Sequence, residues 1–211
     1  MDNDTGGVFI ALPCHDRSRY SGFWVALERL ERPINSIFHI QAGPFIVNNL
    51  IKLSQAFLAT NCQWFFLIND DQIYLPDTIK KLVAHGKDAV VAFSVNRKPP
   101  YRPLLYREVP EGFTHLTLTN ETGLIPVDAS GGGGLLLSRR VFETIPQPWW
   151  EVKSDPDGTH GGEDLEFCRK LKTHGFQLWA DLDTRVGHIA DFVLIPSLTE
   201  NGWMVNIGRT F

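Results

Sequence analysis

The chain predicts an α/β fold: a mostly parallel sheet flanked by helices, followed by a smaller antiparallel or irregular portion. Three observations predict it. Short uncharged apolar runs recur at residues 8–12, 64–68 and 89–93, which is how strands buried on both faces read. Amphipathic stretches separate them, so the pattern is βαβαβαβ as far as Phe93, and that alternation calls for parallel strands. After Asn96 the spacing changes. Pro99, Pro100, Pro103 and Pro110 interrupt the chain, and Thr114–Thr119 alternates like a half-exposed antiparallel strand.

Taken in order, Val8-Phe9-Ile10-Ala11-Leu12 is a buried strand broken by Pro13. Cys14-His15-Asp16-Arg17-Ser18 is a polar loop leading to a helix that ends near Leu30, and Ile37–Ile40 is a second strand. Phe45, Ile46, Asn49, Leu50, Leu53, Ala56 and Phe57 recur at helical spacing, predicting a helix through Thr60. Asn49 falls on its apolar face, where an amide needs partners. Trp64–Ile68 is the third strand, and it runs straight into Asn69-Asp70-Asp71. A helix with Pro76 in its first turn and Ile79, Leu82 and Val83 inward stops at Gly86, before the strand Ala89–Phe93.

Beyond the prolines, Val127–Ser130 leads into Gly131–Gly134, a strand at Leu135–Leu137 and a short helix around Arg140–Ile145. Trp149, Trp150 and Asp155–Gly158 are expected in an irregular loop. Gly161 and Gly162 precede a helix with Glu163 and Asp164 in its first turn and Leu165, Cys168 and Leu171 on one face, closed at Gly175. Phe176–Ala180 is the last predicted strand, before Val186-Gly187-His188-Ile189. Nothing resembles a linker, so residues 1–211 read as one domain with a first half, 1–96, and a second, 97–211.

Composition narrows the function classes. A net charge of −4 provides no global field for nucleic acid. The three cysteines are odd in number and too widely spaced for a zinc knuckle, which predicts a reduced, intracellular protein with Cys62 and Cys168 as core fillers. No apolar stretch reaches membrane-spanning length and the start is acidic, so the expectation is a soluble cytoplasmic protein without membrane insertion.

Four constellations at element boundaries carry candidate chemistry. Asn69-Asp70-Asp71 ends a central strand, where carboxylates project into the crevice at which open α/β sheets bind ligands. Adjacent acids there repel unless a cation neutralises them, and a hard metal with oxygen ligands does so. Four consecutive glycines, Gly131–Gly134, let a backbone approach a ligand closely, and packing alone is not expected to require four. Glu163 and Asp164 suit a helix start in any protein. A lone His188 in an apolar stretch is more often a core residue than a ligand.

In this order, the four motifs resemble the metal-dependent glycosyltransferases of the GT-A fold, in particular short bacterial and phage types related to the large inverting family. The resemblance spans nearly the whole chain. It implies a Rossmann-like sheet with residues 1–96 as the nucleotide-binding half and 97–211 as the acceptor-side half. The implied activity is transfer of a sugar from a nucleotide-sugar donor, UDP-sugar favoured, to an acceptor glycan, small molecule or modified DNA base. Asp71 and His188 would hold Mn2+ or Mg2+, and Asp164 or Glu163 would act on the acceptor hydroxyl. Pro13, Asp16 and Asn49 would border the nucleoside, with Asn69, Asp70, Arg97, Gly132 and Gly133 near the rest of the donor and Trp149-Trp150 as an aromatic wall. The family's Asp-x-Asp motif has Asn69 at its first position here. Two other readings are a sugar nucleotidyltransferase, which would want a glycine-rich basic loop after the first strand, and a non-catalytic binding module of the same fold.

Overall fold

A computed structural model describes residues 6–15, 20–153, 161–190 and 193–208. The elements are β1 (Val8–Cys14), α1 (Ser21–Arg29), β2 (Ile37–Ala42), α2 (Ile46–Leu58), β3 (Trp64–Leu67), β4 (Gln72–Ile73), α3 (Thr78–Ala84) and β5 (Ala89–Phe93). They continue with β6 (Leu105–Val109), β7 (Gly112–His115), β8 (Leu124–Val127), β9 (Ala129–Ser130), β10 (Leu135–Ser138), α4 (Arg139–Thr144) and α5 (Glu163–Thr173). The chain closes with β11 (Leu178–Arg185), β12 (Gly187–Ile189), β13 (Val193–Thr199) and β14 (Gly202–Gly208).

The main sheet has seven strands in the order β2-β1-β3-β10-β5-β11-β8. Strands β2, β1, β3, β5 and β11 run parallel, whereas β10 and the edge strand β8 run antiparallel to their neighbours. Period-two alternation sorts its side chains to two faces. Phe9, Ala11, Phe65, Leu67 and Val91 pack with Leu53 and Phe57 of α2, Phe142 of α4 and Phe167 of α5. Val8, Ile10, Phe66, Ile68 and Val90 pack with Phe23 and Leu27 of α1 and Ile79 and Leu82 of α3. Each fully buried Phe or Leu contributes roughly 1.5–3 kcal/mol, so both faces are strongly specified. Cys62 and Cys168 are buried in the first of these layers, as expected.

Several expected boundaries differ. Strand β1 does not break at Pro13 but pairs through it, Pro13 against Gln41 and Cys14 against Ala42. The neighbour on its other side, β3, has already ended at Leu67, opposite Ala11, so the missing proline N–H costs no ladder bond there. Helix α3 starts at Thr78 with Asp77 as its cap, which leaves Pro76 outside the first turn. Of the expected 114–119 alternation only Thr114 and His115 are strand, as the end of β7, which pairs with β6. Three strands follow the last one predicted: β12 pairs with the two-residue β4, and β13 and β14 form a hairpin in the same small sheet.

Candidate functional site

The parallel strands β1, β3 and β5 point their carboxyl ends the same way, and a cavity of about 300 Å3 opens there. Pro13 and Asn49 line it from β1 and α2, Asn69, Asp70 and Asp71 from the turn after β3, Arg97 from beyond β5, and Glu163 from the start of α5. Among the sequence-predicted residues, Asp16 lies outside the described residues. Sequence reasoning missed Cys14, His15, Tyr20, Gly43, Pro44 and Ile46, which complete the lining. Their signal was position: Cys14 ends β1 and Gly43 follows β2, at the same sheet edge where the end of β3 nominated Asn69.

Asp71 and His188 meet although 117 residues separate them. The short β4–β12 pairing opposes His188 to Gln72, and the Ile189 N–H donates to the Asp71 carbonyl at 2.7 Å. Asp71 Oδ2 lies 3.3 Å from His188 Nε2 and accepts a 2.8 Å bond from Arg97. On the far side of the ring, Nδ1 is 2.8 Å from the Val95 carbonyl, so Nδ1 carries a hydrogen and Nε2 faces the carboxylate. Burial pushes the Asp71 carboxyl up, but the hydrogen bond and charge of His188 and the charge of Arg97 outweigh it, so its pKa ends below the usual value. Among the described residues no group of three or more His, Cys, Asp or Glu side chains gathers to hold a metal; Asp71 and His188 are a pair.

The turn itself is braced from below. Tyr74, fully buried, accepts from the Asn69 N–H at 3.0 Å and donates to the Gln72 side-chain oxygen. A Cβ on Gly133 would fall 2.0 Å from that same Gln72 oxygen, and one on Gly134, whose φ is +80°, would come 3.2 Å from Ala92 Cβ. On Gly132 it would meet Leu67 at 3.3 Å. Packing thus accounts for Gly133 and Gly134 without a ligand, whereas a Cβ on Gly131 would meet Leu104 at an ordinary 3.5 Å, so packing does not ask for all four; Gly132 and Gly133 do not line the cavity.

Asp164 sits half-buried against Gly131 and Gly132. Burial and the neighbouring Glu163 charge push its carboxyl up to about 6, while the Leu165 and Gly132 amides pull the other way. Asn49 does what a buried amide must: Nδ2 donates to the carbonyls of Cys14 and Gly43, tying the ends of β1 and β2 together at the cavity rim.

The proposed aromatic wall is overturned. Trp149 and Trp150 are buried, 3% and 1% exposed. Trp149 Nε1 donates to the Ile145 carbonyl at 2.9 Å, and Trp150 donates to Ser54 Oγ at 2.8 Å while stacking on Phe167 at 4.2 Å. They join α2, α4 and α5 rather than facing a ligand.

The mixed sheet and small antiparallel sheets define a fold similar to that of a GT-A glycosyltransferase. Two solved structures are similar to this chain. A197 from STIV matches with a TM-score of 0.60 at 16% identity, over 98% of this chain and 96% of that one. GalNAc-T7, solved with UDP, GalNAc and Mn2+, matches with a TM-score of 0.58 at 14% identity, over 90% of this chain and 45% of that one. No protein-family model and no curated protein matches the chain. Among the described residues no helix is long and apolar enough to cross a membrane.

Proposed function

We propose that this protein is a metal-dependent glycosyltransferase that moves a sugar from a nucleoside-diphosphate sugar, with UDP favoured, to an acceptor hydroxyl. One observation carries the reading: a single cavity at the carboxyl edge gathers Asn69, Asp70, Asp71, Arg97 and Glu163, with His188 bonded to Asp71 behind it. Residues 1–96 would supply the nucleotide-binding wall and 97–211 the acceptor side.

The residues fit Mn2+ or Mg2+. With Nδ1–H committed to Val95, His188 sets Nε2 3.3 Å from Asp71 Oδ2. Once the proton that links them is released, the two atoms would be acceptors converging on one point, which favours a cation between them. Such ions use one or two protein ligands and complete their shell with phosphate and water. When bound, the ion would stabilise charge growing on the departing diphosphate.

The remaining roles belong to the chain. Arg97, now on Asp71, is placed to turn to the diphosphate, a charge-assisted contact suited to a guanidinium. Pro13 and Asn49 would border the nucleoside. Asp164, at about 6, is ionised at neutral pH yet basic enough to take the acceptor's proton, with Glu163 beside it at the rim. That assignment fits a single in-line displacement, and NMR of the product's anomeric proton should show inversion.

Thermal unfolding with UDP tests the donor reading. UDP at a hundred times its dissociation constant should add about 2.7 kcal/mol in the presence of Mn2+ and nothing in EDTA. A shift indifferent to EDTA would remove the metal from the model. Mass spectrometry with a panel of nucleotide sugars should identify the donor through its slow hydrolysis.

A further inference from the structure

A second, larger cleft of about 720 Å3 opens beside the β6–β7 and β13–β14 hairpins. That size lies in the usual range for ligand sites, roughly 300–1,000 Å3. Its aromatic walls are already set. Trp203 donates from Nε1 to the Glu121 carbonyl at 2.9 Å and takes Phe93 edge-on at 4.8 Å. His115 uses Nδ1–H on the Pro103 carbonyl at 2.6 Å and lies 4.6 Å from the Tyr106 ring, leaving Nε2 as its remaining polar atom. Tyr101 has φ +57°, a left-handed conformation that costs a bulky residue free energy and marks functional segments. The donor cavity uses none of these groups.

The two cavities share one loop. The Val95–Pro103 bridge and the Asn96 N–H bond to the Arg102 carbonyl at 2.8 Å close residues 95–103 into a hairpin. One side of it delivers Arg97 to Asp71, and the other delivers Tyr101 and Arg102 to the cleft.

We infer that this cleft holds the acceptor and that the acceptor is a neutral oligosaccharide; the acceptor role rests on the glycosyltransferase reading. Aromatic rings meet the apolar C–H faces of sugars, and Arg102, Thr117 and His115 offer donors and acceptors to hydroxyls. A nucleic acid would need several cations along its backbone. Arg102 is the one Lys, Arg, Asp or Glu among the described lining residues.

The test combines an array of neutral glycans and a duplex containing hydroxymethylcytosine with the wild type, Tyr101→Ala and Arg102→Ala. The UDP–Mn2+ thermal shift is measured on each protein. The wild type should retain at least one oligosaccharide. Affinity should fall tenfold or more in Tyr101→Ala and about fivefold in Arg102→Ala, with the UDP shift unchanged. No retained glycan, retention indifferent to both variants, or a retained duplex that both variants release would each overturn the proposal. Cleft-dependent glycan retention without any UDP–Mn2+ shift in the wild type would defeat the glycosyltransferase reading, and the acceptor role with it, leaving a saccharide-binding cleft.

Discussion

Asp71 and Asp164 both stand at the carboxyl edge of one sheet, and their surroundings drive them apart. Burial opposes ionisation at each. At Asp71 the contacts with His188 and Arg97 win, and the carboxyl stays below its ordinary value. At Asp164 Glu163 reinforces burial, the backbone amides of Leu165, Gly132 and Asp164 itself recover only part, and the carboxyl rises to about 6. The first acid is built to remain charged beside cations. On the proposed function, the second would take and return a proton near neutrality. Where two carboxyls are pushed in opposite directions, their roles divide accordingly.

The largest effect should come from Asp71→Ala. On the proposed function, transfer should drop by roughly 100- to 1,000-fold and the Mn2+-dependent UDP shift should vanish. The fold should persist, because the main sheet does not depend on this side chain. Turnover by mass spectrometry and unfolding by circular dichroism check the two halves, and His188→Ala should behave alike. Full metal-dependent binding in either variant would break the comparison.

Asp164→Asn sharpens it. Turnover should fall by roughly 100-fold or more while UDP affinity holds, and wild-type turnover should climb as pH rises through about 6. Stability should move the other way. A carboxyl with a raised folded-state pKa favours the folded state at low pH, and that advantage disappears between about 4 and 6. Above that window the ionised Asp164 is a cost, so the variant should be more stable at pH 7.5. Part of the residue meets solvent, which reduces the gain to about 1 kcal/mol, a shift of roughly 2–4 °C. The gain should shrink below pH 4, and equal melting at both pH values would contradict it.

Gly133→Ala tests what braces the Asp71 side. The new methyl would drive into Gln72, which is 1% exposed and cannot swing aside. Calorimetry should show a loss of about 1–3 kcal/mol, with weaker UDP binding as the Asn69 turn shifts. The smallest effect belongs to a residue remote from both acids. Trp150→Phe keeps the stack on Phe167 but loses the bond to Ser54, so denaturant unfolding should register about 1 kcal/mol. UDP binding should be untouched.

The first half was legible because its signals are local. The unbroken apolar run Val8–Leu12 and a terminating glycine at Gly86, whose φ is +59°, need only neighbouring residues. The Asp71–His188 meeting rests on a two-residue strand, too short for any periodicity, so only the order of motifs pointed to it. The β13–β14 hairpin did carry a signal, the Asn201-Gly202 turn, which strand alternation nearby failed to highlight. Trp149 and Trp150 misled because prolines on either side look like a surface loop. Large indoles with interior hydrogen-bond acceptors belong in a core, and Ser54 on α2 supplied an acceptor that no local pattern could name. The Gly131–Gly134 run was noticed for a ligand's sake, whereas Gln72 and Ala92 explain two of its members.

Strand β10 lies between β3 and β5, which precede it in the chain by many residues. During synthesis, therefore, two uncharged apolar strands leave the ribosome with facing backbone edges bare, and their separator arrives only with Leu135–Ser138. Such edges recruit other chains. A fragment ending at residue 96 should consequently aggregate instead of folding, and expression should depend on holding nascent chains apart until that late strand slides in.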